Sequence, residues 1–425
     1  MKRIELTITA LSPLALGRQK PGGSVIETEN YIPGSVLRGA IAIKILQQSG
    51  QESANLAGDG GDFQALFLGE NPAIFQNAYP AIAKMGDESR FVTNEIKVLP
   101  ATAVSSKTDP GFTPKGHGVF DTLLDRFCAE AYNQPYDPSD PKALEEATDA
   151  RVEPKSGFYS QDNGKHLSHN VSTRFLTRVG INRRRATAEE QILYSIEVLN
   201  ESFLRDPKAK FPKWEYFAYC SLVIVPDDSL AEALQRFINA NSQTFRISGS
   251  ASRGLGKVKI EAKDGKAPVS IASRLEKFNQ TLKDRWQLWS VFGKPKENLL
   301  EGRTYFTLDL QSEAILTENW QRTTVISEEM LRQFAGVEDS SLKLHVAYSS
   351  YDYRSGWNAA WGLMKDMELV TNKGAVYLFS TKQPEPWFEA LKELELKGVG
   401  DRTCEGFGQV QICNEFHLVF REQAV

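Results

Sequence analysis

The chain has 425 residues, of which 41% are hydrophobic and 24% are charged. This composition is that of an ordinary folded protein and argues against a disordered, collagen-like or membrane-spanning chain, and the length predicts two or three folded units. The formal net charge is −4, so any binding of nucleic acid must depend on local basic patches rather than on a global positive field.

The N-terminal residues predict a strand. Ile4, Leu6 and Ile8 alternate with polar residues, a pattern typical of a half-buried strand and not of an export signal. No later window reaches the roughly 18 apolar residues that a membrane helix requires. The four cysteines lack C-x-x-C spacing, so we expect a cytoplasmic protein with no membrane partner. The five histidines form no zinc pattern, and we expect neither a metal nor a cofactor.

An internal repeat organises the sequence. Glu-Ala-Leu occurs at 232–234 and again at 389–391, and a Gly-x-Gly motif follows each copy, at 254–256 and at 406–408. A run rich in aromatic and β-branched residues precedes each copy, and a short apolar segment follows it. Each half therefore predicts strand, helix, glycine loop and strand in that order.

Helix signals complete the two halves. Ser229 with Glu232 three residues later predicts a capping box for a helix over 229–241, and Pro384 and Pro386 mark the start of a helix over about 386–396. With further segments each half has the order β-α-β-β-α-β, which predicts an α+β fold of two ferredoxin-like (RRM-like) domains with glycine-rich loops. The further predicted strands are 3–10, 191–199 and 214–225 in the first half and 303–311, 342–350 and 375–381 in the second, with helices over 35–48 and 327–335.

Residues 50–190 do not fit this plan. They are rich in Gly, Asp, Pro and Ser with weak periodicity, and we interpret them as a long irregular insertion, a candidate binding surface. After the first half, Leu275, Phe278 and Leu282 at helical spacing predict a connector helix that packs against one domain. The predicted organisation is a first domain over 1–262 with its insertion, a connector over 263–300, and a second domain over 301–425.

The two glycine loops do not match nucleotide-binding motifs. Leu255 stands where a phosphate-binding loop needs lysine, and both loops follow a helix, whereas those motifs follow a strand. One interpretation is that the glycines only allow the chain to turn. The other is that they let another backbone approach closely while Arg253, Lys257 and Arg402 contribute positive charge.

The densest basic cluster lies just before residue 191. Its composition suits contacts with RNA phosphates and stacking on bases, although charge runs are commonly solvated loops, and Glu189 and Glu190 follow it. No segment has the aromatic K/R-G-F/Y strand of RNA-recognition motifs, so base stacking on a sheet face is not predicted. The cluster comprises Arg174, Arg178, Arg183, Arg184 and Arg185, with Phe175, Asn182 and Thr187 between or beside them.

Three histidines are candidates for acid–base chemistry. A metal-independent ribonuclease would need a histidine base near a lysine or tyrosine. His117 has Lys115 two residues away and a glycine on each side, whereas His166 and His169 share a polar stretch with Lys165. The alternative for each is an exposed loop histidine without a partner.

Together, three segments resemble the RAMP superfamily of CRISPR-Cas systems. They are YIPGSVLRGA at 31–40, the stretch 179–194 that begins Val-Gly-Ile-Asn-Arg, and the terminal glycine loops. The chain is most similar to the RAMP subunit of type III-D effectors that holds the repeat-derived 5′ handle of the crRNA. The resemblance implies a non-catalytic, antiviral role in a ribonucleoprotein complex. It also implies partners: crRNA, the large polymerase-like subunit, the backbone RAMP subunits whose filament this chain would cap, and, indirectly, target RNA.

The predicted RNA groove combines the basic cluster with both glycine loops and the first helix. Ser35 has the alternative of a plain helix cap, and Arg38 that of a surface residue. Two other functions stay open: an endoribonuclease that processes precursor crRNA, with His117 as its catalytic residue, and a protein-only scaffold. The predicted RNA-binding residues are Ser35, Arg38, Arg174, Arg178, Asn182, Arg183, Arg184, Arg185, Ser252, Arg253, Gly254, Lys257 and Arg402.

Overall fold

A computed structural model of the chain has an α+β fold built from antiparallel sheets. Within the described residues, no helix is long and apolar enough to cross a membrane. The structure describes residues 1–18, 27–49, 61–85, 88–92, 95–112, 117–140, 142, 149–182, 184–185, 187–267, 269–295, 297–358 and 362–425.

Short strands and a few longer helices alternate along the described part of the chain. The elements up to residue 169 are β1 (Lys2–Ala10), β2 (Gly17–Arg18), β3 (Glu27–Thr28), α1 (Gly34–Ser49), α2 (Asp62–Phe67), β4 (Ile74–Phe75), β5 (Tyr79–Pro80), β6 (Ile82–Met85), β7 (Glu88–Phe91), β8 (Lys97–Val98), β9 (Ala103–Ser106), β10 (Val119–Asp121), α3 (Leu123–Ala131), β11 (Val152–Pro154), β12 (Phe158–Asp162) and β13 (Lys165–His169). Those up to residue 264 are β14 (Thr173–Asn182), β15 (Thr187–Leu199), β16 (Ser202–Leu204), β17 (Trp214–Tyr216), β18 (Ala218–Val225), α4 (Asp228–Ala240) and β19 (Val258–Asp264). The remainder are α5 (Ile271–Trp289), β20 (Thr304–Leu310), β21 (Leu316–Glu318), β22 (Gln321–Thr323), α6 (Glu328–Ala335), β23 (Lys343–Tyr348), β24 (Tyr351–Arg354), β25 (Trp357–Asn358), β26 (Leu363–Met364), β27 (Glu368–Thr371), β28 (Val376–Thr381), α7 (Glu385–Lys397) and β29 (Val410–Ile412).

Two sheets share one strand order. The first runs β19-β1-β18-β4 and the second runs β29-β20-β28-β23, so in each the first strand lies between the third and the last. Ile4, Leu6 and Ile8 of β1 are fully buried, as their alternation predicts. The first sheet forms one hydrophobic core with α1 and α4, and the second forms another with α5, α6 and α7.

The two halves also share a pair of hydrogen bonds at equivalent places; we call the halves repeat 1, the first sheet with α1 and α4, and repeat 2, the second sheet with α6 and α7. The backbone N–H of Asn200 donates to the carbonyl of Ser172, and its side chain donates to Ser172 Oγ at 2.7 Å. Asn372 makes the same two bonds to Ser350, with the side-chain bond at 2.9 Å. These pairs close the bases of two hairpins, hairpin 1 (173–199) and hairpin 2 (351–371), which occupy equivalent places before the third strand of each sheet.

The glycine loops are equivalent as well. Glycine loop 1 (249–257) has left-handed backbone at Ser250 and Gly254, with a single 3-10 turn between them. Glycine loop 2 (401–409) has the same conformations at Arg402 and Gly406. Position by position, Arg253 of loop 1 therefore corresponds to Glu405 of loop 2.

Two predictions for the first half are wrong. The segment 191–199 is a strand, but it pairs with β14 in hairpin 1 and not in the first sheet, whose place next to β18 belongs to β4. Nor is the insertion over 50–190 irregular where the structure describes it, since it holds a five-stranded sheet and a three-stranded sheet. Strands of two to five residues are too short to leave a readable alternation of apolar residues.

Helix ends follow local chemistry. Asp227 caps α4, because its carboxylate accepts the N–H of Leu230 at 2.9 Å. The predicted capping box at Ser229 is wrong: the helix begins one residue earlier, and the Ser229 hydroxyl donates to Asp227 instead. Ser35 lies inside the first turn of α1 and does not cap it.

The connector helix α5 belongs to the second core. Ile271, Leu275, Phe278 and Leu282 are buried there, so one face of the helix packs against repeat 2 as the spacing predicts. Helix α3 of the insertion joins the same core through residues such as Phe127. The insertion therefore binds repeat 2 as well as repeat 1.

Candidate nucleic-acid interface

Six of the thirteen predicted RNA-binding residues fall between residues 173 and 199, the range of hairpin 1. Phe175 and Val179 lie on the same face of β14, and both are exposed. Ile181 is exposed as well, and so is Leu193, which lies across the hairpin from Val179 and is 70% exposed. The opposite face is half-buried: it packs against a small cluster that includes Leu255 of glycine loop 1. Hairpin 1 therefore exposes several apolar side chains on one side, with Thr177 and Ser195 between them, and rests on glycine loop 1 with the other.

The half-buried face brings Arg178, Tyr194 and Arg253 together. Arg178 lies directly across the hairpin from Tyr194. The Arg253 guanidinium lies 5.7 Å from the centre of the Tyr194 ring and donates to its hydroxyl. One arginine thus contacts this aromatic ring, and a second is its cross-strand neighbour, where hairpin 1 meets glycine loop 1. Ser252, Gly254 and Lys257 of that loop are exposed.

The other members of the basic cluster have different surroundings. Arg184 and Arg185 are exposed at the turn of hairpin 1. Arg174 is engaged at the base, where it donates to Asn200 Oδ1 at 2.7 Å and pairs with Glu201 at 2.8 Å. Its contacts hold the hairpin in position. Arg183 and the side chain of Asn182 lie outside the described residues.

Ser35, Arg38 and Arg402 gather at a second place, the joint between the repeats. Arg402 pairs with Glu405 at 2.5 Å and lies 5.0 Å from the Phe407 ring. Arg38 donates to the carbonyl of Phe67 and lies over its ring. Burial would raise the pKa of Glu405, but Arg402, Lys365 and Arg38 lower it. These cations therefore compensate the negative charge of Glu405 within the same chain.

A buried ion cluster strengthens this joint. Tyr31 donates to Glu313 at 2.9 Å, and Arg354 of hairpin 2 donates to the Tyr31 hydroxyl at 2.6 Å. Arg354 also pairs with Glu29 at 3.1 Å and with Glu313 at 2.6 Å. Burial would raise the pKa of Glu313, but Arg354 and Lys373 lower it to about 2. The YIPGS segment of repeat 1 is thus held by hairpin 2 and glycine loop 2.

A surface that sequence analysis missed follows hairpin 1 directly. The basic–aromatic loop (205–214) connects β16 to the start of β17, and its rings are open to solvent, with Phe211 80% and Trp214 69% exposed. Lys210 lies 5.8 Å from the Phe211 ring. The signal was present in the sequence, where KAKFPKW interleaves lysines with aromatic residues, the composition of a single-strand binding surface.

The histidines lie in buried or half-buried surroundings. His117 is buried, and its Nδ1 lies 2.8 Å from Asp140; Lys115 lies outside the described residues. His169 is fully buried against Ser160 Oγ at 2.7 Å, and burial lowers its pKa to about 4. His166 lines a cavity of about 180 Å³ with Tyr159, Phe416 and Glu415, and burial lowers its pKa. The described residues hold no cluster of three or more His, Cys, Asp or Glu side chains that could bind a metal ion.

The RAMP superfamily model matches residues 7–259, more than half of the chain. No curated protein matches the sequence. Similar solved chains include one in a type III-B Cmr-beta complex bound to cognate target RNA and AMPPnP, with 12% identity, 88% of this chain and 86% of that chain covered, and a TM-score of 0.40. A type IV-B CRISPR complex has a chain with 13% identity, coverage of 63% and 94%, and a TM-score of 0.26. Oligomeric Cmr4 from Pyrococcus furiosus has 12% identity, coverage of 63% and 100%, and a TM-score of 0.24.

Proposed function

Because the chain belongs to the RAMP superfamily, we propose that it is a non-catalytic RNA-binding subunit of a type III CRISPR-Cas effector complex. In this proposal it holds the 5′ repeat-derived handle of the crRNA at one end of the backbone filament, as in type III-D effectors. Its partners are crRNA, the large polymerase-like subunit and the backbone RAMP subunits.

The proposal includes a fold assignment, namely that repeats 1 and 2 are ferredoxin-like domains. The shared strand order, with the first strand between the third and the last, supports it. The helices α1 and α4 in repeat 1 and α6 and α7 in repeat 2 occupy the two helical places of the β-α-β-β-α-β plan.

The RNA-binding proposal rests mainly on the side chains that hairpin 1 exposes. It combines Arg178 beside Tyr194, the exposed Arg184 and Arg185, and a solvent-exposed apolar face. Arginine binds phosphate through a planar fork of donors and stacks on bases, and exposed aromatic and apolar side chains accept unstacked bases of single-stranded RNA. A hairpin with both properties is suited to an unpaired RNA strand.

The basic–aromatic loop extends this surface. The loop begins directly after β16, the strand that follows hairpin 1 in the chain. It contributes Lys210, Lys213 and the exposed rings of Phe211 and Trp214. We therefore include both hairpin 1 and this loop, which follow each other along the chain, in the proposed groove. We assign no catalytic role to His117, because its ring is buried and held by Asp140.

Binding of handle RNA by the full-length chain tests the proposal. The RNA is the crRNA that co-purifies when the chain is expressed with its genomic neighbours, shortened to its 5′ handle. Replacement of Arg178, Arg184 and Arg185 by Ala should weaken binding by about tenfold or more, and it should flatten the salt dependence by about 0.7 in log–log slope for each lost phosphate contact.

A matched control replaces three exposed cations outside hairpin 1, the basic–aromatic loop and both glycine loops: Arg236 on α4 with Lys277 and Lys283 on α5. This variant should keep wild-type affinity and salt slope. Equal binding by both triple variants would contradict the proposed groove. A complex that assembles but shows no ultraviolet crosslink between this chain and RNA would favour the protein-only scaffold.

A further inference from the structure

Glycine loop 2 is a docking element whose partner lies in the same chain. Its Gly406 approaches the first turn of α1 so closely that a Cβ there would lie 2.7 Å from Asn77 Oδ1, 3.0 Å from the Phe75 carbonyl and 3.2 Å from Gly34 Cα. In turn, a Cβ on Gly34 would lie 2.9 Å from the carbonyl oxygen of Glu405 and would overlap that of Phe75. Only a helix that begins with glycine can seat this loop.

Side chains add a charge match to this close approach. Arg38 lies one turn after Gly34 in α1, and it is among the cations that lower the pKa of Glu405, after Arg402 and Lys365. Asn77 caps the helix, since its Oδ1 accepts the N–H of Gly34 at 2.8 Å. Glycine loop 2 therefore recognises a glycine at the helix start and a cation in the first turns.

Glycine loop 1 has the same backbone, but its outer face is open. Gly254 has a φ of 84°, close to the 93° of Gly406, yet a Cβ built on Gly254 meets no described atom within 4 Å. Ser252 and Arg253 beside it are exposed. Tyr194 of hairpin 1 already supports Arg253 from within the chain. Glycine loop 1 thus already has the backbone conformation with which glycine loop 2 binds the start of α1.

We propose that glycine loop 1 docks onto the first turn of the corresponding helix in an adjacent RAMP subunit, as glycine loop 2 docks onto α1. This inference rests on the proposed membership of a multi-subunit complex. The adjacent subunit, repeat 1 and repeat 2 would then form a row in which each neighbouring pair is joined by the same contact between a glycine loop and a helix start.

The charge of glycine loop 1 indicates which helix it can bind. Arg253 stands where loop 2 has Glu405, so the partner helix should begin with glycine and carry a carboxylate in place of Arg38. A second copy of this chain does not fit. Its α1 is already covered by loop 2, and its α6 begins with Glu328 and has Arg332 at the position of Arg38, which would oppose Arg253. The partner is therefore a different RAMP chain.

A photocrosslinking experiment tests the docking site in the assembled complex. A benzophenone amino acid replaces Ser252 in the full-length chain, which is expressed with its genomic neighbours and purified as a complex. Irradiation should join this chain to another RAMP subunit at the start of its first helix. A crosslink to RNA, a crosslink to a second copy of the chain, or no crosslink in an assembled complex would each overturn the proposal.

A charge reversal separates this inference from the proposed function. Arg253→Glu should reduce recovery of the adjacent RAMP subunit at least tenfold, while Arg236→Glu, on the exposed side of α4, should leave it unchanged. Conversely, the Ala variant of Arg178, Arg184 and Arg185 should bind handle RNA more weakly and should still recover the adjacent RAMP subunit within about threefold of wild type, because none of the three residues belongs to glycine loop 1. Full recovery of the subunit overturns the docking proposal, whereas RNA binding that is insensitive to the hairpin arginines overturns only the proposed function.

Discussion

Nε2 of His417 lies 2.7 Å from Oδ1 of Asp309, and both residues are fully buried. On the other side of the ring, Nδ1 lies 3.2 Å from Asp121. Asp121 belongs to the insertion, Asp309 to the first strand of repeat 2 and His417 to the segment after the last strand. One imidazolium between two carboxylates thus joins three distant parts of the chain.

This triad predicts a loss of stability at alkaline pH. Burial would lower the pKa of His417, but Asp309 and Asp121 raise it to about 10. In the unfolded chain the pKa is about 6.5. The contribution of the proton to the free energy of unfolding is therefore complete below pH about 6.5 and disappears as the pH rises towards about 10. Urea midpoints measured from pH 6.5 to 10 should fall over this range.

Two variants locate the effect. His417→Gln should lower the urea midpoint at pH 6.5 by the equivalent of about 3–5 kcal/mol, because it leaves two buried carboxylates without their cation, and its midpoint should change less from pH 7 to 10. His169→Gln is the control, since the pKa of His169 is lowered to about 4 and its titration lies below this range. A wild-type midpoint that stays constant from pH 7 to 10 would contradict the assignment of a charged His417.

A third variant tests the joint between the repeats. Tyr31→Phe removes the hydroxyl that donates to Glu313 and accepts from Arg354. Hydrogen bonds to charged groups contribute about 1.5–3 kcal/mol, so the variant should unfold at lower temperature while the remaining Arg354–Glu313 pair keeps the joint formed. Tyr216→Phe, on an exposed strand, should leave the midpoint within error. The same midpoint for both variants would mean that the hydroxyl of Tyr31 does not stabilise the joint.

Local signals predicted the repeat well and its internal contacts poorly. The Gly-x-Gly motifs and helix periods identify α4, α7 and both glycine loops, because turns and amphipathic helices depend on residues close in sequence. The second strand of the first sheet was missed because β4 has only two residues. Its place was given to 191–199, whose apolar alternation is equally strong in a free-standing hairpin.

The candidate site shows the same division. Arg178 and Arg253 were predicted separately from local charge, and only the fold places both at Tyr194. Conversely, Arg253 and Arg402 were both predicted to contribute positive charge to the RNA groove, although Arg402 pairs with Glu405, the equivalent of Arg253 in glycine loop 2. Glycine loop 2 is covered and glycine loop 1 is open because of contacts between residues more than 300 positions apart, such as Gly34 and Gly406. No local sequence pattern predicts such contacts.

Removing the exposed rings of the basic–aromatic loop should weaken RNA binding without changing its salt dependence. Stacking of a base on an aromatic ring contributes about 1–3 kcal/mol, so Phe211→Ala with Trp214→Ala should lower handle affinity by tenfold or more at every salt concentration. Trp320→Ala is the control, because Trp320 is 98% exposed on a different turn. A drop in salt slope instead of a uniform loss would show that the lysines, and not the rings, bind the RNA.

The two glycine loops allow a matched comparison of stability. Gly254 and Gly406 have the same left-handed backbone, with φ of 84° and 93°, so alanine should cost about 1 kcal/mol or more in conformational strain at either position. Only at Gly406 does the added Cβ also collide, lying 2.7 Å from Asn77 Oδ1 and 3.0 Å from the Phe75 carbonyl. Gly406→Ala should therefore lower the thermal midpoint of the full-length chain clearly further than Gly254→Ala. Because strain is common to both, the difference between the variants measures the docked contact itself, and equal midpoints would mean that glycine loop 2 does not seat on α1.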